Sequence, residues 1–302
     1  MPNTLAHIGV QALITRGLIA RADLGWIGLG CILPDLPWII QRVVTILPIG
    51  LSPIDLRLYA VVQSSLLFCL VASAAFACLA PRAVRVFGIL ALGCLLHLLL
   101  DATQTKWANG VLLFAPFDWY LLNFGFYWPE NWPSHLLGLV GLAYGVWAVW
   151  RIGPSSLHLW PVPVGRVLAA LTFLGLYLAG PLMFMPAADA ADLHFAATLR
   201  DGAGRPGQLI EFDRSDVWRA ADGATQLGVW TGETLALIGQ PLPEAAQGAS
   251  IRGRFVDAQT IEVTAFHLHP TARRELLSIL GLGLVLAWWG AMVVTGLRRA
   301  AD

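Results

Sequence analysis

The sequence predicts a mainly α-helical fold, a polytopic bundle of about seven transmembrane helices with a small β-barrel domain inserted before the last helix. Hydrophobic residues make up 57% of the chain and charged residues only 13%, about half of the charged fraction that soluble domains carry. The apolar residues also fall into long runs, which one polar segment near the C-terminus interrupts. The net charge of zero gives no indication of a nucleic-acid partner.

The transmembrane spans are predicted from apolar runs near the length of about 20 residues that crosses the hydrocarbon core. Two runs near the N-terminus are the weaker ones. Thr4–Ala20 is amphipathic, and Leu24–Leu47 contains Asp35 between two prolines, which predicts a broken or kinked helix. The plain runs are Leu58–Leu79, Val84–Leu100, His135–Trp150, Val164–Met185 and Leu276–Leu297.

Arginines in the short loops predict the orientation of these spans. Cytoplasmic loops are enriched in Lys and Arg, and with seven spans all the basic loops fall on one side. The N-terminus and the polar segment then face outward, so the polar segment is expected to be extracytoplasmic. The arginines concerned are Arg16, Arg21, Arg82, Arg85, Arg151, Arg166, Arg298 and Arg299.

The polar segment, residues 186–274, separates a bundle of residues 1–185 from a final helix and tail of residues 275–302. It contains short runs of alternating polar and apolar residues between Gly, Pro and Asp, the pattern of a small barrel or sandwich. We expect a five-stranded OB-like barrel, with a small sandwich as the alternative. The predicted strands are Gly207–Phe212, Leu227–Trp230, Thr234–Ile238, Ser250–Val256 and Thr260–His267.

Four ionisable residues lie inside the apolar segments: His7, Asp35, His97 and Asp101. Each costs about 2.5–3.5 kcal/mol at the centre of a bilayer on insertion scales, so each needs a partner or a function. His97 and Asp101 are one helical turn apart and share a face. Imidazole nitrogen and carboxylate oxygen are ligands for a divalent ion. The four therefore predict one outward-facing metal site, or else hydrogen bonds between helices without a metal.

Three further histidines are accessory candidates. His135 begins a predicted span close to Glu130, and either a fifth ligand or an interfacial histidine fits that position. His267 and His269 alternate along a strand and share one face, just before the last helix. They predict a lid or an accessory metal position, with a polar strand surface as the alternative.

These motifs together resemble a bacterial inner-membrane family of metal-dependent hydrolases, the LexA-binding, inner-membrane-associated hydrolase type. The shared pattern is an early His7, the Pro-Asp of Leu33–Leu36, then His97 and Asp101 in one helix, followed by the Gly110–Phe117 loop. The arrangement of ligands is similar to that of zinc-dependent phospholipase C and the S1/P1-type nucleases. The resemblance covers about residues 3 to 120.

The resemblance implies a zinc-type metal site and hydrolysis of a phosphoester or lipid-type substrate at the outer face of the inner membrane. Asp35 and Asp101 are then the candidates for the catalytic base. Two positions depart from the family. Pro37 stands where a second carboxylate is usual, and the segment 59–65 lacks the family's histidines, although Gln63 could supply an oxygen ligand. One ion, rather than two or more, is expected.

Two other classes of function remain open from the sequence. The chain could be a non-catalytic membrane scaffold whose β domain binds a periplasmic protein or a glycan, with the His/Asp group serving as a structural element. It could also be a proton-coupled transporter, although the sequence contains no inverted repeat or paired broken helices. In all three cases membrane lipids surround the bundle.

Overall fold

The structure, a computed structural model, describes residues 4–48, 50–152, 161–243, 248–269 and 273–301. Over these ranges the chain forms a helical bundle and one closed β-barrel. The helices are α1 (Thr4–Leu18), α2 (Leu24–Ile32), α3 (Leu36–Ile46), α4 (Pro53–Gln63), α5 (Leu66–Cys78), α6 (Ala83–Ala102), α7 (Trp132–Arg151), α8 (Val164–Ala190), α9 (Ala196–Arg200) and α10 (Arg273–Ala301).

The broken helix that the sequence predicts around Asp35 is confirmed. A 3-10 turn over Leu33–Asp35 joins α2 directly to α3, because Pro34 and Pro37 lack the N–H groups that a continuous α-helix uses. The pair still forms one apolar segment, Leu24–Ile46, that is long enough to cross a membrane. The break brings the Asp35 carboxylate to the His97 imidazole of α6.

The predicted span Leu58–Leu79 is divided into α4 and α5, which meet at an angle of 68°. The bend lies at Ser64 and Ser65, and Ser65 has extended backbone angles. The N–H group of Leu66 donates to the carbonyl oxygen of Leu112 in a distant loop, 3.1 Å away. A contact far along the chain therefore satisfies the backbone at the bend, which local sequence does not reveal.

By length and composition, four helical segments of the described chain can cross a membrane, and the bent pair α4–α5 would be a fifth. Helix α1 is only 15 residues long, and α7 is not among the segments that qualify. The number of seven spans and the orientation stay predictions. The side chains of Arg298 and Arg299, used for that orientation, lie outside the described part. The four segments are Leu24–Ile46, Ala83–Ala102, Val164–Ala190 and Leu276–Gly296.

The barrel contains the five expected strands in the order β1-β2-β3-β5-β4, with β4 closing on β1. β3 and β5 are parallel, and the other neighbours are antiparallel. The strands are β1 (Leu209–Arg219), β2 (Thr225–Gly228), β3 (Thr234–Gly239), β4 (Gly248–Phe255) and β5 (Thr260–Leu268). Alternating apolar residues of these strands fill the barrel, among them Ile210, Phe212, Leu227, Leu235, Ile251 and Ile261.

Two differences from the predicted boundaries concern the first strand of the barrel and the helix that leads to it. β1 continues past Phe212, because an irregularity between Phe212 and Ser215, with Arg214 at a φ of 52°, bends the strand and lets its second half pair with β2. α8 continues through Pro186 to Ala190, whereas the sequence predicts a domain boundary at residue 186. The alanines after Pro186 favour continued helix.

The barrel covers one end of the bundle. Near the start of α6, Arg85 donates to the carbonyl oxygen of Ala20 in the turn between α1 and α2. Just beyond the other end of α6, the N–H group of Ala108 donates to the Glu211 carboxylate of β1, at 2.8 Å. The basic turns and the barrel therefore lie at opposite ends of α6.

Candidate metal centre

His97 lies at the centre of the buried group that the sequence predicts. Its Nδ1 donates to the carbonyl oxygen of Cys31, at 2.7 Å. A carbonyl oxygen can only accept, so Nδ1 carries the proton and Nε2 presents a lone pair in the neutral ring. That Nε2 lies 3.4 Å from Asp35 Oδ1 and 3.9 Å from Asp101 Oδ2. A backbone carbonyl that fixes the tautomer in this way is the usual outer partner of a metal-binding histidine.

His7 completes the group from α1. Its ring stacks on the His97 ring, with 4.0 Å between centroids and 10° between planes, and its Nε2 lies 3.3 Å from Asp101 Oδ1. The other oxygen of Asp101 lies 3.3 Å from Lys106 Nζ. The structure therefore brings His7, His97 and Asp101 together as a group that could hold a metal, places Asp35 next to it through His97, and adds a lysine.

The nitrogen and oxygen atoms of this group that could ligate a metal lack hydrogen-bond partners in the described chain. Both ring nitrogens of His7, Nε2 of His97, Oδ1 of Asp35 and Oδ1 of Asp101 are buried without one. Buried polar atoms are rarely left unsatisfied unless an ion or water occupies the site. Tetrahedral zinc at bond lengths of 2.0–2.1 Å separates its ligand atoms by about 3.3–3.4 Å; the distances here are 3.3 Å for His7–Asp101, 3.4 Å for His97–Asp35 and 3.9 Å for His97–Asp101. His7, His97 and Asp101, whose ligand atoms lie within 4.8 Å of one another, could therefore hold a divalent ion.

A cavity of about 740 Å³ connects this group to the barrel. Asp35, His97 and Asp101 lie on its bundle side, and Asp213 and Trp230 lie on its barrel side. Asp35 is the more accessible of the two bundle carboxylates, with 16% of its side chain exposed against 8% for Asp101. A molecule in the cavity would therefore contact Asp35 before Asp101.

His194 forms part of the cavity wall, in the short segment between α8 and α9. Burial lowers the pKa of His194 well below its usual value, and the charges of Arg57 and Lys106 lower it further. Its φ of 56° lies in the left-handed region that non-glycine residues rarely adopt. A neutral imidazole is thus held at the cavity in a strained backbone conformation, a feature that clusters at functional sites.

A second group of possible ligands forms at the edge of the barrel. The Glu130 carboxylate contacts His267 Nε2 and lies 3.3 Å from His269 Nδ1, and Trp128 stacks on His267 with centroids 3.8 Å apart. Burial disfavours ionisation of Glu130, but hydrogen bonds from His269 and His267 outweigh it and lower its pKa to about 2. The group could hold a metal ion, and it fastens β5 to the loop before α7.

Gln63 and His135, the other two accessory candidates, belong to neither of the two groups in the described chain that could hold a metal. Gln63 is buried, but its amide nitrogen donates to the Tyr59 hydroxyl, at 3.0 Å, and to the Tyr177 carbonyl oxygen, at 3.1 Å. His135 is exposed at the start of α7. Gln63 therefore connects α4 to α8, and His135 remains at the surface.

Sequence reasoning missed Lys106 and Arg57. Lys106 follows the apolar run by five residues and has the appearance of an ordinary loop lysine, yet it is 5% exposed. Arg57 lies near the start of a predicted span, where a basic residue commonly marks a helix end. Both residues lie outside the apolar runs in the sequence, and nothing near them in the sequence indicates that the barrel lies over them.

Comparison of the chain with protein-family models, with curated proteins and with solved structures found no match.

Proposed function

We propose that this protein is a membrane-embedded, metal-dependent hydrolase whose site opens into the cavity between bundle and barrel. One observation carries the proposal: ligand atoms of His7, His97 and Asp101 converge beside that cavity, Asp35 lies 3.4 Å from His97 at its wall, and these atoms lack hydrogen-bond partners among the described residues. Two imidazoles and two carboxylates suit zinc. The absence of a second carboxylate at Pro37 and of histidines in segment 59–65 favours a single ion.

The residues around the group differ in what they can do. Asp101 contacts His7, His97 and Lys106, so we assign it to holding the ion. Asp35 contacts His97 and faces the cavity, so we assign it the role of the base that accepts the proton of the attacking water. A bound divalent ion would supply an activated water and polarise the scissile group. The ammonium of Lys106 limits the negative charge on the carboxylates.

We further propose that the protein lies in the bacterial inner membrane, with an OB-type barrel on the extracytoplasmic side. The barrel and the basic turns lie at opposite ends of α6, and basic turns favour the cytoplasmic side. The strand order, with its parallel β3–β5 pair, supports the OB interpretation. A site between bundle and barrel is then suited to a phosphoester or lipid-type substrate at the outer leaflet.

Metal analysis and hydrolysis assays on the full chain in detergent test this function. We expect Asp101→Asn to lose both the metal and hydrolysis of a chromogenic phosphodiester. Asp35→Asn should keep the metal and lose activity by roughly 10²–10⁴-fold, the range for a positioned base. Asp118→Asn, in an exposed loop, is the control. A metal-free wild type would overturn the proposal, and bound metal without hydrolysis of any phosphoester or lipid would favour the scaffold alternative.

A further inference from the structure

Arg57 of α4 lies between two tryptophans from different parts of the molecule. Its guanidinium carbon is 5.2 Å from the ring centroid of Trp38 on α3 and 4.9 Å from that of Trp230 in the barrel. Guanidinium groups stack on aromatic faces through cation–π attraction. Two such contacts hold the plane of the group where bundle and barrel meet, on the wall of the cavity.

The Arg57 guanidinium has no counter-ion among the described residues. Its Nε is buried without a hydrogen-bond partner, and no described carboxylate lies within the 4 Å of an ion pair. Asp213 is the acid whose charge reaches it, but from beyond ion-pair distance, and the Asp213 carboxylate accepts from the Ser250 hydroxyl at 3.0 Å. Arginine cannot lose its proton in a protein. Such a cation is stable where an anion is bound.

The other charges on the cavity wall are of both signs. Arg214, which bends β1, has a buried Nη2 without a hydrogen-bond partner. Of the acids on this wall, Glu211 pairs with Arg252 and Glu233 pairs with Arg205, and Asp213 and Asp216 line it as well. An anion is therefore indicated by the Arg57 and Arg214 nitrogens that have no hydrogen-bond partner among the described residues, and not by the net charge of the wall.

We propose that Arg57 is the anion-binding residue of the cavity and holds the oxygens of a phosphate group, from free phosphate or from a phospholipid headgroup. The planar guanidinium donates two parallel hydrogen bonds to phosphate oxygens, and the tryptophans prevent it from turning away. The substrate class rests on the proposed hydrolase function, because Arg57 lines the same cavity as Asp35, His97 and Asp101. Binding of phosphate itself requires no metal.

The test uses the full chain in detergent, with metal removed by EDTA. Inorganic phosphate is titrated against chloride at equal ionic strength, and both thermal stability and heat of binding are measured. We expect saturable binding that Arg57→Gln weakens at least tenfold. Arg57→Lys keeps the charge without the planar donor pair and should be weakened less. Arg254→Gln is the matched control, since Arg254 lies exposed on β4 and donates to a backbone carbonyl.

A second arm distinguishes the two sources of phosphate. The titration is repeated in phospholipid nanodiscs. If a phospholipid headgroup fills the site, added phosphate no longer changes thermal stability or gives a heat of binding there. If free phosphate is the ligand, both effects persist. Either result supports the proposal. No saturable effect in detergent, or an equal effect in wild type and Arg57→Gln, overturns it. If the glutamine variant does not fold, Arg57→Lys with affinity equal to wild type overturns it. If the wild-type protein binds phosphate but hydrolyses no substrate, that result would count against the hydrolase function and not against the phosphate site.

Discussion

His97 Nδ1 lies 2.7 Å from the carbonyl oxygen of Cys31, so a backbone group of α2 determines which nitrogen of this α6 histidine is free. The free Nε2 lies near the carboxylates of Asp35 and Asp101. A neutral ring has no proton on that nitrogen and an ionised carboxylate has none either, so no hydrogen bond can form among the three groups. Such an arrangement requires either a protonated ring or a cation between the groups. The convergence of lone pairs, more than the identity of the residues, supports a metal.

The metal hypothesis predicts a contrast between His97 and its backbone partner. His97→Ala should reduce bound zinc from about one ion per chain to near zero, because a site of this kind needs three or more protein ligands. Cys31→Ala should keep the ion, since the Cys31 group that accepts from His97 Nδ1 is its backbone carbonyl, which alanine retains. Zinc content of the purified variants measures both. Equal zinc in all three proteins would contradict the assignment.

The close approach of α1 and α7 predicts a steric effect on the site. A Cβ on Gly141 would lie 2.0 Å from the Leu5 carbonyl oxygen, whereas a Cβ on Gly145, one turn later, meets nothing within 4 Å. Gly141→Ala should cost about 1–3 kcal/mol of stability by overpacking and weaken metal binding, because α1 carries His7. Gly145→Ala should have little effect. Melting temperature and zinc affinity in detergent provide the readouts, and equal effects of the two alanines would disprove the packing.

The low pKa of His194 predicts acid sensitivity with a definite sign. Burial and the charges of Arg57 and Lys106 keep the folded-state ring neutral. The unfolded chain takes up a proton below about pH 6.5, and the folded chain does not. Stability is therefore full above that pH and falls below it, by at most about 1.4 kcal/mol per pH unit from this group.

His194→Asn should flatten this dependence, because Asn does not titrate and tolerates a positive φ. Unfolding free energies between pH 7 and pH 5 check the prediction. The same slope in the variant as in wild type would show that another group is responsible.

The Glu130 contacts predict local stabilisation of the barrel edge. Glu130→Gln removes the charge that accepts from His267 and His269, and should expose the backbone of β5 to hydrogen exchange. Charge-assisted hydrogen bonds contribute about 1.5–3 kcal/mol when buried. About a fifth of the Glu130 side chain is exposed, so screening by solvent reduces this contribution. We therefore expect the β5 amide hydrogens of the variant to exchange roughly fivefold faster than those of wild type. Glu262→Gln, on the exposed face of the same strand, is the control and should exchange as wild type.

Local patterns were sufficient for several elements. The prolines around Asp35 predicted the break between α2 and α3, because a missing N–H group acts where it stands. The alternating runs predicted five strands, of which four were placed within two residues of their bounds at both ends. His97 and Asp101 share a face in any helix, because the periodicity of the helix puts residues one turn apart side by side. These features depend on the nearest few residues alone.

Other features depend on contacts between distant parts of the chain. The bend at Ser64 and Ser65 depends on the Leu112 carbonyl. Glu130 meets His267 across 137 residues of sequence. Arg57 has the sequence signature of a helix-end arginine, and only the placement of Trp230 makes it a largely buried cation.

The sequence by itself determined that this chain has apolar helices, a five-stranded polar insert and four costly ionisable residues inside the apolar segments. Only the tertiary structure decided that His7 stacks on His97, that Lys106 neutralises Asp101, and that the barrel encloses a cavity over them. The physical reason is the range of the forces involved. Periodicity and proline chemistry act within a turn or two of the chain, whereas the position of a lone pair or an unpaired charge depends on every element that packs around it.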